Sequence, residues 1–211
     1  MPISLTSSNN FSTLNMQDMV DTFRLKPSKD LLFGSIPIPN DQKSYLARLI
    51  SKTENQIQYW NEQELVMKHL SLILDVADMQ GTDYNSFAER IISSVVDGVE
   101  MTGIVDFVVA KGRYEPRNPY FFIQEFKKAK NPSGDPFAQL LGELLVAQEI
   151  NKNQEIYGLY IVGQFWYFVA MNGRNFTELS PLDSTNLEDL QIILSHLNWV
   201  KSYIEKEVKK V

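Results

Sequence analysis

Cysteine is absent from all 211 residues. That excludes disulfides, thiolate nucleophiles and cysteine-ligated zinc or iron–sulfur centres, and it fits a reducing cytoplasm. Histidine is scarce. His69 and His196 fall on separate predicted helices with no second ligand at metal spacing, so each reads as a surface or core-edge residue. No Gly-x-Gly-x-x-Gly or Walker pattern occurs, so nucleotide-binding loops have no basis in the sequence. Long apolar runs are also missing. The most apolar stretch, 157–171, is too short for a membrane-spanning helix and is broken at Gly163-Gln164. Met1 to Asn10 has neither a basic n-region nor an apolar h-region, so it does not read as a secretory signal. The expectation is a cytoplasmic protein with no membrane partner.

What is present is an ordinary globular composition, 44% hydrophobic and 22% charged. The length suits one domain with a terminal extension and allows a sizeable core. The net charge of −6 argues against a general nucleic-acid binder, but it is unevenly spread. Residues 111–130 hold Lys111, Arg113, Arg117, Lys127, Lys128 and Lys130 against Glu115 and Glu125, a local charge of +4 that leaves the remainder at −10. Such a zone can meet phosphates. It reads equally as a solvated, charged loop.

The periodicities give a coarse order of elements. Residues 1–40 are rich in Ser, Asn and Pro and read as an arm with a short helix near Leu14 to Phe23. Residues 41–59 show a helical period in Tyr45, Leu46, Leu49, Ile50 and Ile57. Asn61 with Glu64 makes a capping box ahead of the stripe Leu65, Val66, Leu70, Ile73, Val76 and Ala77. Strands are predicted at Ile91 to Val96, Ile104 to Ala110 and Tyr120 to Phe126, the first two joined by a turn at Asp97-Gly98. Asp135-Pro136 starts a helix. Two more strands, Tyr157 to Val162 and Phe165 to Met171, precede a turn at Asn172-Gly173. Thr185 with Glu188 reads as the capping box of a C-terminal helix. The chain divides into an N-terminal arm with helices (1–59), a core (60–180) and a C-terminal helix of the same domain (181–211). Helices packed on a mixed sheet are the predicted architecture.

The informative residues are charges that interrupt apolar strands. The segment 103–110 reads as a strand buried on both faces, with Asp106 inside it. Burying a polar group without a partner costs roughly 2–7 kcal/mol, and a charge costs more. The next strand repeats the anomaly at Glu125. Alternation puts Glu125 and Lys127 on one face and Phe126 on the other. Two carboxylates beside a lysine suit a hard divalent cation with oxygen ligands. Such a cation can polarise a phosphate and acidify a bound water. A structural salt bridge between Lys127 and either acid is the simpler reading, and spacing alone does not separate the two.

Asp106, the loop after it, Glu125-Phe126-Lys127 at the next strand end, and Gln139 on the following helix resemble the PD-(D/E)XK nuclease superfamily. The resemblance covers residues 60–172 and looks closest to small bacterial members of that superfamily. It implies a restriction-endonuclease-like fold, a mixed central sheet flanked by helices. It implies that Asp106 and Glu125 ligate Mg2+ or Mn2+, with the backbone carbonyl of Phe126 completing the shell. Lys127 would be the motif lysine, and Gln139 would lie near the site and the substrate backbone. Many members add an acid from the helix before the first strand; Glu64 is the first candidate, with Glu62 and Glu89 behind it. The sequence departs from the family pattern at Val105, which stands where the motif proline would be.

Two functions follow as expectations. One is a metal-dependent nuclease hydrolysing DNA, with Lys111, Arg113, Arg117, Lys128 and Lys130 as further contacts to the nucleic acid, acting as a homodimer or with a specificity-providing subunit. The other is a catalytically inactive module of the same fold, serving nucleic-acid binding or protein assembly.

Overall fold

The computed structural model describes residues 8–31, 33–53, 55–128, 134–153 and 155–210. In chain order the elements are β1 (Ser8–Asn10), α1 (Met16–Phe23), β2 (Lys26–Pro27), α2 (Asn40–Thr53), α3 (Glu62–Leu65), a π turn (Val66–Leu70), α4 (Ser71–Ala77), β3 (Tyr84–Val96), β4 (Val99–Lys111), β5 (Arg117–Lys127), α5 (Pro136–Asn151), β6 (Glu155–Val162), β7 (Phe165–Asn172), β8 (Asn175–Glu178), β9 (Leu182–Asp183) and α6 (Leu187–Val208). The strands form one mixed sheet in the order β1-β4-β5-β6-β7-β8-β2, with β3 added to β4 and β9 to β7. β5 and β6 run parallel, joined through α5, while β3-β4-β5 and β6-β7-β8 are antiparallel meanders. The protein is therefore a mixed α/β fold with helices on both faces of the sheet. No described helix is long and apolar enough to cross a membrane.

Side-chain alternation along the strands feeds two cores. On one face Phe122, Phe126, Ile161, Trp166 and Phe168 pack under α2, the α3–α4 helix and α6. On the other, Val105, Val108, Ile123, Ile156 and Val169 meet α5 and the N-terminal arm. α5 is buried at every position from Ala138 to Gln148 because the sheet covers one side and the arm the other. That is why its sequence is apolar all round, as expected of a helix with no wet face. The arm, rich in Ser, Asn and Pro, nevertheless inserts Phe11, Leu14, Met19, Phe23 and Leu25 fully into this core. Gly142 makes the approach possible. A Cβ there would lie 2.5 Å from Leu14 Cδ1 and 3.0 Å from Met101 Cε. Gly142→Val is expected to overpack this contact and lower stability by about 1–3 kcal/mol. Urea unfolding would show the loss, and proteolysis should release the arm before the rest of the chain.

Several boundaries differ from the sequence expectation. β3 and β4 are 13 residues each, because pairing extends the hairpin well past its apolar centres. β5 begins at Arg117, inside the expected loop, where it still pairs with Lys111. The helix expected over 41–59 ends at Thr53, and Ile57–Tyr59 is a separate 3-10 turn. α6 is capped by Asn186, whose side chain accepts from the amides of Glu188 and Asp189, whereas Thr185 turns back to Asp183. The 103–110 segment is not buried on both faces, since Ile104 is 55% exposed. Asn61 and Glu64 do form their reciprocal capping box.

The π turn carries His69 into the core. Its Nε2 meets Ser184 Oγ at 2.8 Å, and its Nδ1 has no partner. Burial holds it down at about 4, with Asp183 acting in the opposite sense. A histidine kept neutral in the folded state but free to charge at its ordinary 6.5 when unfolded favours the fold only above that value. Stability should thus fall as pH drops from 6.5 towards 4, by roughly 2–3 kcal/mol from this group. Chemical unfolding of the wild type and His69→Gln at pH 7 and 4.5 isolates the contribution as the part of the pH dependence that the variant lacks.

Candidate functional site

The site lies where the sheet forks. The β4–β5 ladder runs from Lys111–Arg117 to Phe107–Gln124 and stops there. From Glu125 onward β5 pairs only with β6, through Tyr160, Ile161 and Val162. The β3–β4 ladder breaks at the same level. Ala88 pairs with Phe107 and Arg90 with Val105, leaving Glu89, at φ 52°, opposite Asp106 outside the regular pairing. Asp106 thus occupies the one position of β4 where both neighbouring ladders are interrupted. Its Oδ2 accepts the Phe126 N–H at 2.7 Å, replacing the lost ladder bond. The Lys127 carbonyl accepts from Gly163 N on the β6 side. Alternation along a strand then sends the Phe126 carbonyl, like its N–H, into the fork.

Glu125 and Lys127 project from the same face of β5, as the sequence predicts, and form an ion pair. Glu125 is fully buried, and its Oε2 has no hydrogen-bond partner among the described residues. Below them on α5, Gln139 Nε2 donates to Glu143 Oε1 at 3.2 Å. Glu143 is also fully buried with Oε2 unpartnered. Three carboxyl groups therefore share a poorly solvated space with one ammonium. Burial first, then the charge of Asp106, pushes Glu125 up to about 8, against the pull of Lys127. Asp106 is raised by burial, partly offset by the Phe126 amide and Lys127. Glu143 is raised strongly, by burial and then by Glu125. Burial pulls Lys127 down, but Glu125, Asp106 and Glu62 together outweigh it, so its net shift is upward. With all three acids ionised, the site would carry more negative charge than Lys127 neutralises.

The fork opens on a cleft of about 730 Å³ between the α3–α4 helix and β3–β4, lined by Glu62, Asp75, Asp78, Glu89, Asp106, Phe107 and Phe126 among others. Glu64 is not among the lining residues. It is exposed, committed to the capping box and paired with Lys68 at 2.6 Å. Two helical residues are about 200° of rotation, so Glu62 faces the cleft when Glu64 caps. The sequence expectation puts Glu64 ahead of Glu62, whereas in the structure the capping box holds Glu64 and it is Glu62 that lines the cleft.

The basic zone of the sequence does not form one patch. Lys111 and Arg117 pair at the far end of the β4–β5 hairpin. That is about 17 Å from Asp106 at the usual rise per residue of a strand. Arg113 lies over Tyr114 in the same distant loop, its guanidinium 5.9 Å from the ring centroid. Lys128 is exposed immediately after Lys127. Lys130 lies outside the described residues. Glu143 was missed, although the signal was available. It is a charge inside the apolar run 140–147, one helical turn beyond Gln139, and the argument that singled out Asp106 applies to it equally.

Among the described residues no group of three or more His, Asp or Glu side chains stands ready as a complete metal-ligand set. Asp106 and Glu125 are a pair, close enough for the charge of Asp106 to act on Glu125. Fold and site together define a mixed-sheet α/β protein with a carboxylate–lysine cluster in a strand fork. No family model and no curated protein matches the chain. A solved structure described as "Crystal structure of SSO0001" aligns at 16% identity over 77% of this chain and 83% of its own, with a TM-score of 0.26.

Proposed function

We propose that the fork is the active site of a divalent-cation-dependent nuclease that hydrolyses phosphodiester bonds in DNA. The observation that carries this reading is the fully buried, unpartnered Oε2 of Glu125 beside Asp106, in a site whose three acids face a single lysine. Lys127 pairs with one oxygen of this carboxylate, but a buried oxygen left unpartnered is costly, and a hard cation offers it the partner that the described residues do not. Asp106, Glu125 and the Phe126 carbonyl would hold Mg2+ or Mn2+, which when bound would polarise the phosphate and acidify a water. Lys127, anchored by Glu125, would orient the attacking water and balance charge that builds on the phosphate. Gln139, held by Glu143, supports the α5 side of the site. The resemblance to the PD-(D/E)XK superfamily agrees with these assignments, and with a restriction-endonuclease-like arrangement of β3-β4-β5-α5-β6.

A specific observation also favours the second reading, a non-catalytic module of the same fold. Among the described residues the cleft in front of Asp106 is lined by carboxylates and by no lysine or arginine, which disfavours a bare phosphate backbone. One experiment separates the two. Purified protein is incubated with supercoiled plasmid, linear duplex and single-stranded DNA in Mg2+, Mn2+ or EDTA. Metal-dependent cutting that Asp106→Ala loses supports the nuclease. Absence of cutting, together with no rise in melting temperature on adding Mn2+, would leave the non-catalytic reading standing.

A further inference from the structure

The cleft has a property that the nuclease reading does not use. Its acids are largely uncompensated. Asp78 pairs with Lys201 at 2.7 Å, but Glu62, Asp75 and Glu89 are in no salt bridge among the described residues. Between the acids the lining is apolar: Val66, Met67, Leu74, Met79, Phe107 and Phe126. Large apolar side chains continue outside the cleft. Met67 on the π turn is 70% exposed, and Ile91 and Ile104, cross-strand partners on the β3–β4 hairpin, are 71% and 55% exposed. Ile104 precedes Asp106 by two residues and so shares its side of the strand. An acidic cleft rimmed by exposed apolar groups is costly to leave uncovered, and such surfaces mark protein interaction sites.

We infer that this cleft docks a basic amphipathic segment of a partner protein, with apolar side chains seated between Met67 and the Ile91–Ile104 pair and Lys or Arg reaching Glu62, Asp75 and Glu89. The committed occupant follows from charge complementarity. Without a bound metal ion, a nucleic-acid strand or a second copy of this acidic chain would bring more negative charge to a surface whose lining, among the described residues, holds acids and no lysine or arginine. A docked segment would cover Asp106. If the fork is the active site proposed above, docking is inhibitory; the binding itself does not depend on that reading.

The probe is a fluorescently labelled amphipathic peptide with leucine on one face and lysine and arginine on the other. Its anisotropy on titration with the full chain is compared with that of a scrambled peptide of equal composition. The inference expects the amphipathic peptide to bind at least tenfold more tightly than the scrambled one, with binding weakened by salt. Asp75→Lys and Ile91→Asp, exposed positions outside the fork, should each weaken it by tenfold or more while leaving the melting temperature unchanged. Equal binding of both peptides, or binding indifferent to the two variants, overturns the inference. So does displacement of the peptide by duplex DNA in EDTA, or a dimer in sedimentation that Ile91→Asp dissolves. Because no step requires cleavage, failure here and failure of the nuclease assay are distinguishable.

Discussion

Lys127→Ala should lower the metal-dependent cleavage rate by about 10²–10⁴-fold, the range typical of losing a positioned acid–base or charge-stabilising group. Among the described residues Lys127 is the one cation drawn into the fork by both Glu125 and Asp106, and none of the others is placed to substitute. Single-turnover cleavage at saturating Mg2+ is the measurement, with Mn2+-induced thermal stabilisation followed in parallel. Loss of cleavage with retained stabilisation assigns Lys127 to chemistry and leaves metal binding to Asp106 and Glu125. A variant keeping more than a tenth of the wild-type rate would remove Lys127 from the mechanism.

Glu125→Gln should stabilise the metal-free protein at alkaline pH while abolishing its response to Mn2+. The sign follows from the direction of the shift. Glu125 titrates near 4.5 unfolded and at about 8 folded, so the folded state prefers the protonated acid. That preference favours the fold below 4.5 and is lost as pH rises through 8. In EDTA the wild type should therefore lose up to roughly 4 kcal/mol from this group between pH 4.5 and 8. The glutamine variant carries no such charge and should overtake the wild type at pH 8. Urea unfolding of both proteins at pH 5 and pH 8 tests this. A wild-type stability that is flat across the interval, or a variant that is weaker at both pH values, would show that Glu125 is already well accommodated and needs no cation. Taken with the acid-side loss expected from His69, the two slopes oppose each other between about pH 4.5 and 6.5, so these groups, which lie on opposite faces of the sheet, favour a mildly acidic optimum for the metal-free protein.

Local rules made much of this protein legible from its sequence. Periodicity marked the central strands and the α2, α3–α4, α5 and α6 helices, and the Asn61 and Asp135 caps lie where short-range hydrogen bonding puts them. Asp106 and Glu125 stood out because charge inside an apolar strand is costly wherever that strand ends up. The face shared by Glu125 and Lys127 follows from the twofold alternation of a strand alone.

What the sequence could not supply depended on partners distant along the chain. The polar arm buries Phe11 and Phe23 because Gly142, over a hundred residues away, leaves room for its approach. Pairing lengths of β3, β4 and β5 were set by the strand opposite, not by their own apolar content. Glu62 rather than Glu64 faces the cleft because the capping box fixes the rotation of a helix whose packing only the fold reveals. The sequence by itself determined which groups are too charged for their surroundings. Only the tertiary structure decided that β4 and β5 separate at Asp106, bringing Asp106, Glu125, Lys127, Gln139 and Glu143 together, because ladder register is a property of two strands and is written in neither one.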